Sequence, residues 1–138
     1  MKALAWWFRI VGSFYLLLAL MNLYFLFLPG GAEMIRGTIP FEADDLVVRA
    51  FQNAWSPFAF EILGLATFML WASRTPLKWV ATVWLIVWLE FWHGIVDDIY
   101  LIANGYDAVS YIAFIAIHIA VIVTGVYAAR RALAEAGR

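Results

Sequence analysis

The sequence predicts an all-α integral membrane protein, a four-helix bundle with its N- and C-termini in the cytoplasm, and three observations carry that expectation. Of the 138 residues, 66% are hydrophobic and only 14% charged, whereas ordinary globular domains are about half apolar and a quarter charged. Four apolar runs, Trp6 to Leu28, Phe51 to Ala72, Trp79 to Ile102 and Val109 to Ala129, each reach the ~20 residues that a helix needs to cross a hydrocarbon core. Seven of the nine basic residues gather at alternate ends of these runs: Lys2 and Arg9, then Arg74 and Lys78, then Arg130, Arg131 and Arg138. By the positive-inside rule those ends face the cytoplasm, and the connections holding Glu33, Glu42, Asp44, Asp45 and Asp107 face outward. The runs fill most of the chain, so residues 1–138 form one domain with helices at about 6–28, 42–73, 77–103 and 107–132.

The first helix opens on "WWFR", interfacial tryptophans beside an arginine, and stops at "LPGG". It is too long for a signal-peptide core and no small-residue cleavage site follows, so it is expected to be a retained span. Gly30 to Pro40 reads as the longest irregular stretch. "FEADDLVVRAF" starts the second helix with acids at the positive end of its dipole and an Asp45/Arg49 pair at i,i+4. Pro57 removes one backbone hydrogen bond from that helix. "SRTP" is a tight turn into the third helix, and the Asn-Gly of "ANGYD" turns the chain into the fourth. With no cysteine, disulfides, thiol redox chemistry, thiolate metal sites and iron–sulfur ligation are excluded. A net charge of −1 carries no nucleic-acid signal.

The third helix holds the stretch that demands an explanation, "LEFWHGIVDDIY", with Glu90, His93, Asp97 and Asp98 inside a membrane span. At about 100° per residue, Val83, Ile86, Glu90, His93, Gly94 and Asp97 share one face, Trp84, Trp88 and Trp92 the opposite one, and Asp98 and Tyr100 flank the polar stripe. The same construction groups Tyr111, Phe114 and His118 on the fourth helix, Phe58, Glu61 and Phe68 on the second, and Tyr15 and Asn22 on the first. With a rise of about 1.5 Å per residue, Glu61, Glu90, His93 and His118 form a layer ~12 to 17 Å below the outer boundary. Asn22, Asn53, Asp97 and Tyr111 form a second layer nearer the outside, with Asp98 at its rim. Intramembrane charges cost about 2.5 to 3.5 kcal/mol each even on the lenient insertion scale, so these groups are expected to be clustered, partly neutral, or bound to something.

Several chemistries suit such layers. The first is a pocket for a small lipophilic ligand, an aromatic one included, with Glu61, Glu90, His93, Asp97, Tyr111, His118 and Asn22 as ligand-binding residues and Phe58, Phe68, Phe114 and Tyr15 as walls. The second is a membrane enzyme of isomerase type, with Glu90 and His93 as an acid–base pair. The third is a metal or haem site using His93, His118, Glu90 and Glu61, although the expected state is without a cofactor. The bland alternative is that these groups only bond across helices and fix the packing, as in an accessory subunit of a larger membrane complex. The partners expected are membrane lipid and a small lipophilic ligand; self-association stays open, and nucleic acid is not expected.

"WWFRIVGSFYLLLALMNLYFLF", "ADDLVVRAFQNAW", "GIVDDIYLIANGYD" and "SYIAFIAIHIAVIVTG" together resemble the BphX-like family of small bacterial membrane proteins, and more distantly the DoxX-like group. The resemblance spans nearly the whole chain. It implies a four-helix, multi-pass protein of the bacterial inner membrane and a setting of aromatic-compound degradation, which hints at a hydrophobic small molecule. It supplies no catalytic assignment.

Overall fold

The computed structural model describes residues 1–137. Five helices follow one another: α1 (Lys2–Phe27), α2 (Gly31–Thr38), α3 (Asp45–Ala72), α4 (Pro76–Ala103) and α5 (Ala108–Ala136). All but α2 are long and apolar enough to cross a membrane, which makes this a multi-pass architecture. They run up and down in turn. The start of α1, the end of α5 and the Ser73–Thr75 turn lie at one end, where the Met1 amine pairs with Glu135. The short helix α2 and the Asn104–Asp107 turn lie at the other.

Where the sequence predicts its longest loop, the chain instead forms α2. Gly30 supplies the left-handed N-cap (φ +88°) that lets the chain reverse after Pro29. Ile35 and Ile39 then tuck the new helix onto Val48 of α3, and the amphipathic spacing is only two turns long, too short to stand out from a loop. Arg36 bonds to Glu33 (2.5 Å) and to Asp45, so Asp45 pairs across the connection rather than with Arg49. The helix α3 starts at Asp45, because the Asp44 carboxylate caps it by accepting from the Val47 amide at 2.9 Å. It runs unbroken through Pro57.

The helices form two antiparallel pairs, α1 with α3 and α4 with α5, joined along α1 and α5. The core lies in the half nearest the termini, where Leu4, Phe8, Met69, Val83 and Ile86 are fully buried. Small residues, Ala66, Ala72, Ala129 and Ala132, let the backbones approach there. Close packing of α3 against α4 is concentrated at the 3₁₀ turn Pro76–Trp79 that opens α4. Farther toward α2 the two part, and side chains such as Phe58 and His93 (ring centroids 6.2 Å apart) span the gap. Trp84, Trp88 and Trp92 face outward, as the helical wheel predicts.

One departure from regular geometry matters most. Within α4 the segment Glu90–Val96 is π-helical. An i→i+5 hydrogen bond puts one extra residue into a turn, so everything beyond lags the α-helical phase by about one residue, or ~100°. The buried positions accordingly run Glu90, Gly94, Asp98, and Asp98 takes the inward place that an unbroken helix gives to Asp97.

Candidate functional site

Buried residues on α1 recur at Leu4, Trp7, Phe8, Val11, Tyr15 and Ala19, the spacing of one helix face, and this stripe carries Tyr15 into the bundle. There its hydroxyl donates to Glu90 Oε1. The other carboxylate oxygen of Glu90 lies 2.6 Å from His118 Nδ1 on α5. Glu90 is 6% exposed, and a carboxylate can be buried so far only because both oxygens have partners. One bonded chain thus ties α1, α4 and α5 together.

His118 reaches a second acid. Its Nε2 stands 3.5 Å from Asp98 Oδ2, an ion-pair separation without hydrogen-bond geometry. Asp98 is also 6% exposed, and its Oδ2 has no hydrogen-bond partner among the described residues. The imidazole therefore lies between two carboxylates, one bonded to it and one not. Gly94 makes the arrangement possible, because a Cβ there would meet the His118 ring at 2.5 Å.

These groups form part of the wall of an inner cavity of about 250 Å³ between the two helix pairs. All seven residues expected from the sequence to bind a ligand line it: Asn22, Glu61, Glu90, His93, Asp97, Tyr111 and His118. They do not play equal parts. Glu61 and His93 are exposed, at the gap between α3 and α4, and Asp97 is half-buried. The imidazole bonded to Glu90 is that of His118, not His93 three residues away, because the π-helical turn carries His93 round toward α3 and Phe58. Phe68 is no part of the wall; it packs on Trp71 and Trp79 nearer the termini. Among the described residues no group of three or more His, Asp or Glu side chains is arranged to hold a metal ion.

A second cavity, of about 410 Å³, lies above the first and under α2. The two share Asn22, Trp55, Leu101 and Tyr111. Asn22 accepts from the Trp55 indole at 2.7 Å and donates to the Leu18 carbonyl at 2.8 Å, which fixes the dividing indole. The outer chamber is largely apolar, lined by Phe25, Leu26, Ile35, Ile39 and Phe51 among others. Aromatic rings continue from one chamber to the next: Phe51 stacks on Trp55 (5.6 Å) and Trp55 meets Phe58 edge-on (4.7 Å). Tyr106, in the turn before α5, closes one side of the outer chamber, and burial followed by its neighbour Tyr100 pushes its phenol above the ordinary value.

Sequence reasoning misplaced Asp98 and missed the outer chamber. The helical wheel leaves Asp98 at the flank of the polar stripe because it assumes a constant 100° step, and no residue in "EFWHGIV" announces a π-helical turn; Gly94 is the only hint of a close approach. The outer chamber depends on α2. No curated protein and no solved structure matches the chain. The family model of the BphX-like proteins matches residues 1–134, and the chain belongs to the BphX-like family.

Proposed function

We propose that this protein binds a small lipophilic ligand inside the bacterial inner membrane, with both termini in the cytoplasm and α2 on the outer side. The observation that carries the reading is that the two chambers adjoin and share part of their walls. An apolar, aromatic-walled outer space shares Trp55 and Tyr111 with an inner space whose wall carries the ionisable groups, Glu90 and Asp98 buried among them, which is the usual division between a surface that holds a ligand and groups that orient it. The outer volume lies within the ~300 to 1,000 Å³ typical of small-molecule sites. Titration of the protein in lipid nanodiscs with 1-naphthol, read by quenching of tryptophan emission, tests it. Saturable binding that Leu101→Trp removes, with the melting temperature preserved, supports the pocket; quenching that is linear and unaffected by Leu101→Trp is partitioning into lipid and overturns it.

A second reading is favoured by one observation. The chain Tyr15–Glu90–His118 is a connected set of proton donors and acceptors next to the cavity, which suits acid–base chemistry of the isomerase kind with Glu90 and His118 as the pair. Turnover of a bound ligand lost in Glu90→Gln while binding persists would select this reading.

A further inference from the structure

The inner cavity has a charge problem that its own residues do not solve. Four carboxylates line it, Glu61, Glu90, Asp97 and Asp98, with two imidazoles and no lysine or arginine. Two imidazoles cannot neutralise four carboxylates even when both are protonated. Glu90 is accounted for by Tyr15 and His118. Asp98 is accounted for only in part: it is more than nine-tenths buried and borders the cavity, His118 Nε2 stands 3.5 Å from its Oδ2 without hydrogen-bond geometry, and that oxygen has no hydrogen-bond partner among the described residues. A buried carboxylate oxygen without a donor costs several kcal/mol until something supplies one. A proton on Oδ2 would have only His118 Nε2, 3.5 Å away, to face as an acceptor.

The surroundings state which donor fits. Trp55, Phe58 and Tyr111 border the same space, and aromatic faces attract organic cations. An inorganic ion finds no set of three ligating side chains among the described residues. An ammonium group on an apolar body satisfies both halves of the site, donating to the Asp98 carboxylate while its body lies along aromatic rings toward the outer chamber.

We infer that the inner cavity takes the ammonium head of a lipophilic amine, with Asp98 as its direct acceptor and Asp97 and Glu61 supplying further negative charge. This rests on the pocket reading above and names the class of ligand for it. Glu61 and His93, exposed where α3 and α4 part, mark the side from which an amine dissolved in the bilayer enters without crossing α2.

The test compares 4-phenylbutylamine with its neutral counterpart 4-phenylbutan-1-ol, each titrated by calorimetry into the full chain in zwitterionic nanodiscs, with empty nanodiscs subtracted. The expected result is one amine per protein, bound at least about tenfold more tightly than the alcohol, a preference equivalent to one strong ionic contact. Asp98→Asn is expected to erase that preference and leave alcohol binding in place. Should Asp98→Asn fail to fold, Glu61→Gln, at the exposed edge, is expected to reduce amine affinity severalfold and spare the alcohol. Equal binding of amine and alcohol overturns the cation inference while the pocket reading stands. Absence of binding by both overturns the two together, and an amine preference unchanged in Asp98→Asn and Glu61→Gln assigns the cation to another site and overturns the inference.

Discussion

His118 lies directly over Gly94: a side-chain carbon added to the glycine would stand 2.5 Å from the ring's Cγ and Nδ1, so the imidazole that bonds Glu90 occupies the room of a missing methyl group. Gly94→Ala therefore has to push the ring away. We expect a loss of about 1 to 3 kcal/mol of stability, the usual cost of overpacking, measured by reversible unfolding in mixed micelles. Gly64 is the control, since nothing lies within 4 Å of a Cβ there; Gly64→Ala is expected to be neutral or stabilising by up to ~1 kcal/mol.

Glu90 is the group whose removal should matter most. Glu90→Ala leaves the Tyr15 hydroxyl and His118 Nδ1 without the acceptor they share, and stranding buried polar partners costs about 3 to 5 kcal/mol. Tyr15→Phe removes one donor and should cost about 1 kcal/mol. In a double-mutant cycle with Glu90→Gln, the two sites are expected to couple by ~0.5 to 3 kcal/mol, as bonded neighbours do. Additivity within ~0.3 kcal/mol would show that the bond contributes nothing.

The π-helical turn makes an unusual deletion tolerable. Removing Val96 takes one residue from the segment Glu90–Val96 and returns it to α-helical phase, which keeps Asp98 on the face of Glu90. Removing Val87, in the regular α-helical part of α4, rotates Glu90 and everything beyond by ~100°. The deletion of Val96 is expected to give a folded protein with near-normal yield, and that of Val87 to give aggregate, as read by size-exclusion chromatography. Equal damage from both would contradict the phase argument.

Asp107 offers a pH dependence outside the membrane-spanning segments. Its carboxylate caps α5, accepting from the Ser110 amide (3.0 Å) and hydroxyl (2.5 Å), and those bonds hold it below the usual carboxylate range. A carboxyl depressed in the folded state adds stability above its unfolded pKa, about 3.9, and loses that contribution as pH falls through the folded value. The first turn of α5 is thus expected to fray under acid, seen as faster hydrogen exchange at the Ser110 amide than a reference amide shows. Asp107→Asn keeps an acceptor and should flatten that dependence.

Much of the fold was legible because lipid imposes it. Trp84, Trp88 and Trp92 sit one helical turn apart and can face only outward, so the inward face of that helix and its Glu90 follow by elimination. The same periodicity found Tyr15, Asn22 and His118. It failed at Asp98 because it assumes every residue advances the helix equally, and at α2 because eight residues whose Ile35 packs with Ile39 and Val48 carry too short a pattern to stand apart from a loop. It also paired Glu90 with His93, the near neighbour in sequence, where three-dimensional packing chose His118.

By itself, then, the sequence determined that four helices are long and apolar enough to cross a membrane and that a few ionisable side chains lie among them, since length and hydrophobicity are properties of each helix alone. Tertiary structure decided which of those side chains meet: the extra residue in the Glu90–Val96 turn aims Asp98 inward, Gly94 admits His118 to Glu90, and α2 covers the outer chamber. Such pairings depend on the relative rotation of helices about their axes, and that is set by contacts between segments that no single helix contains.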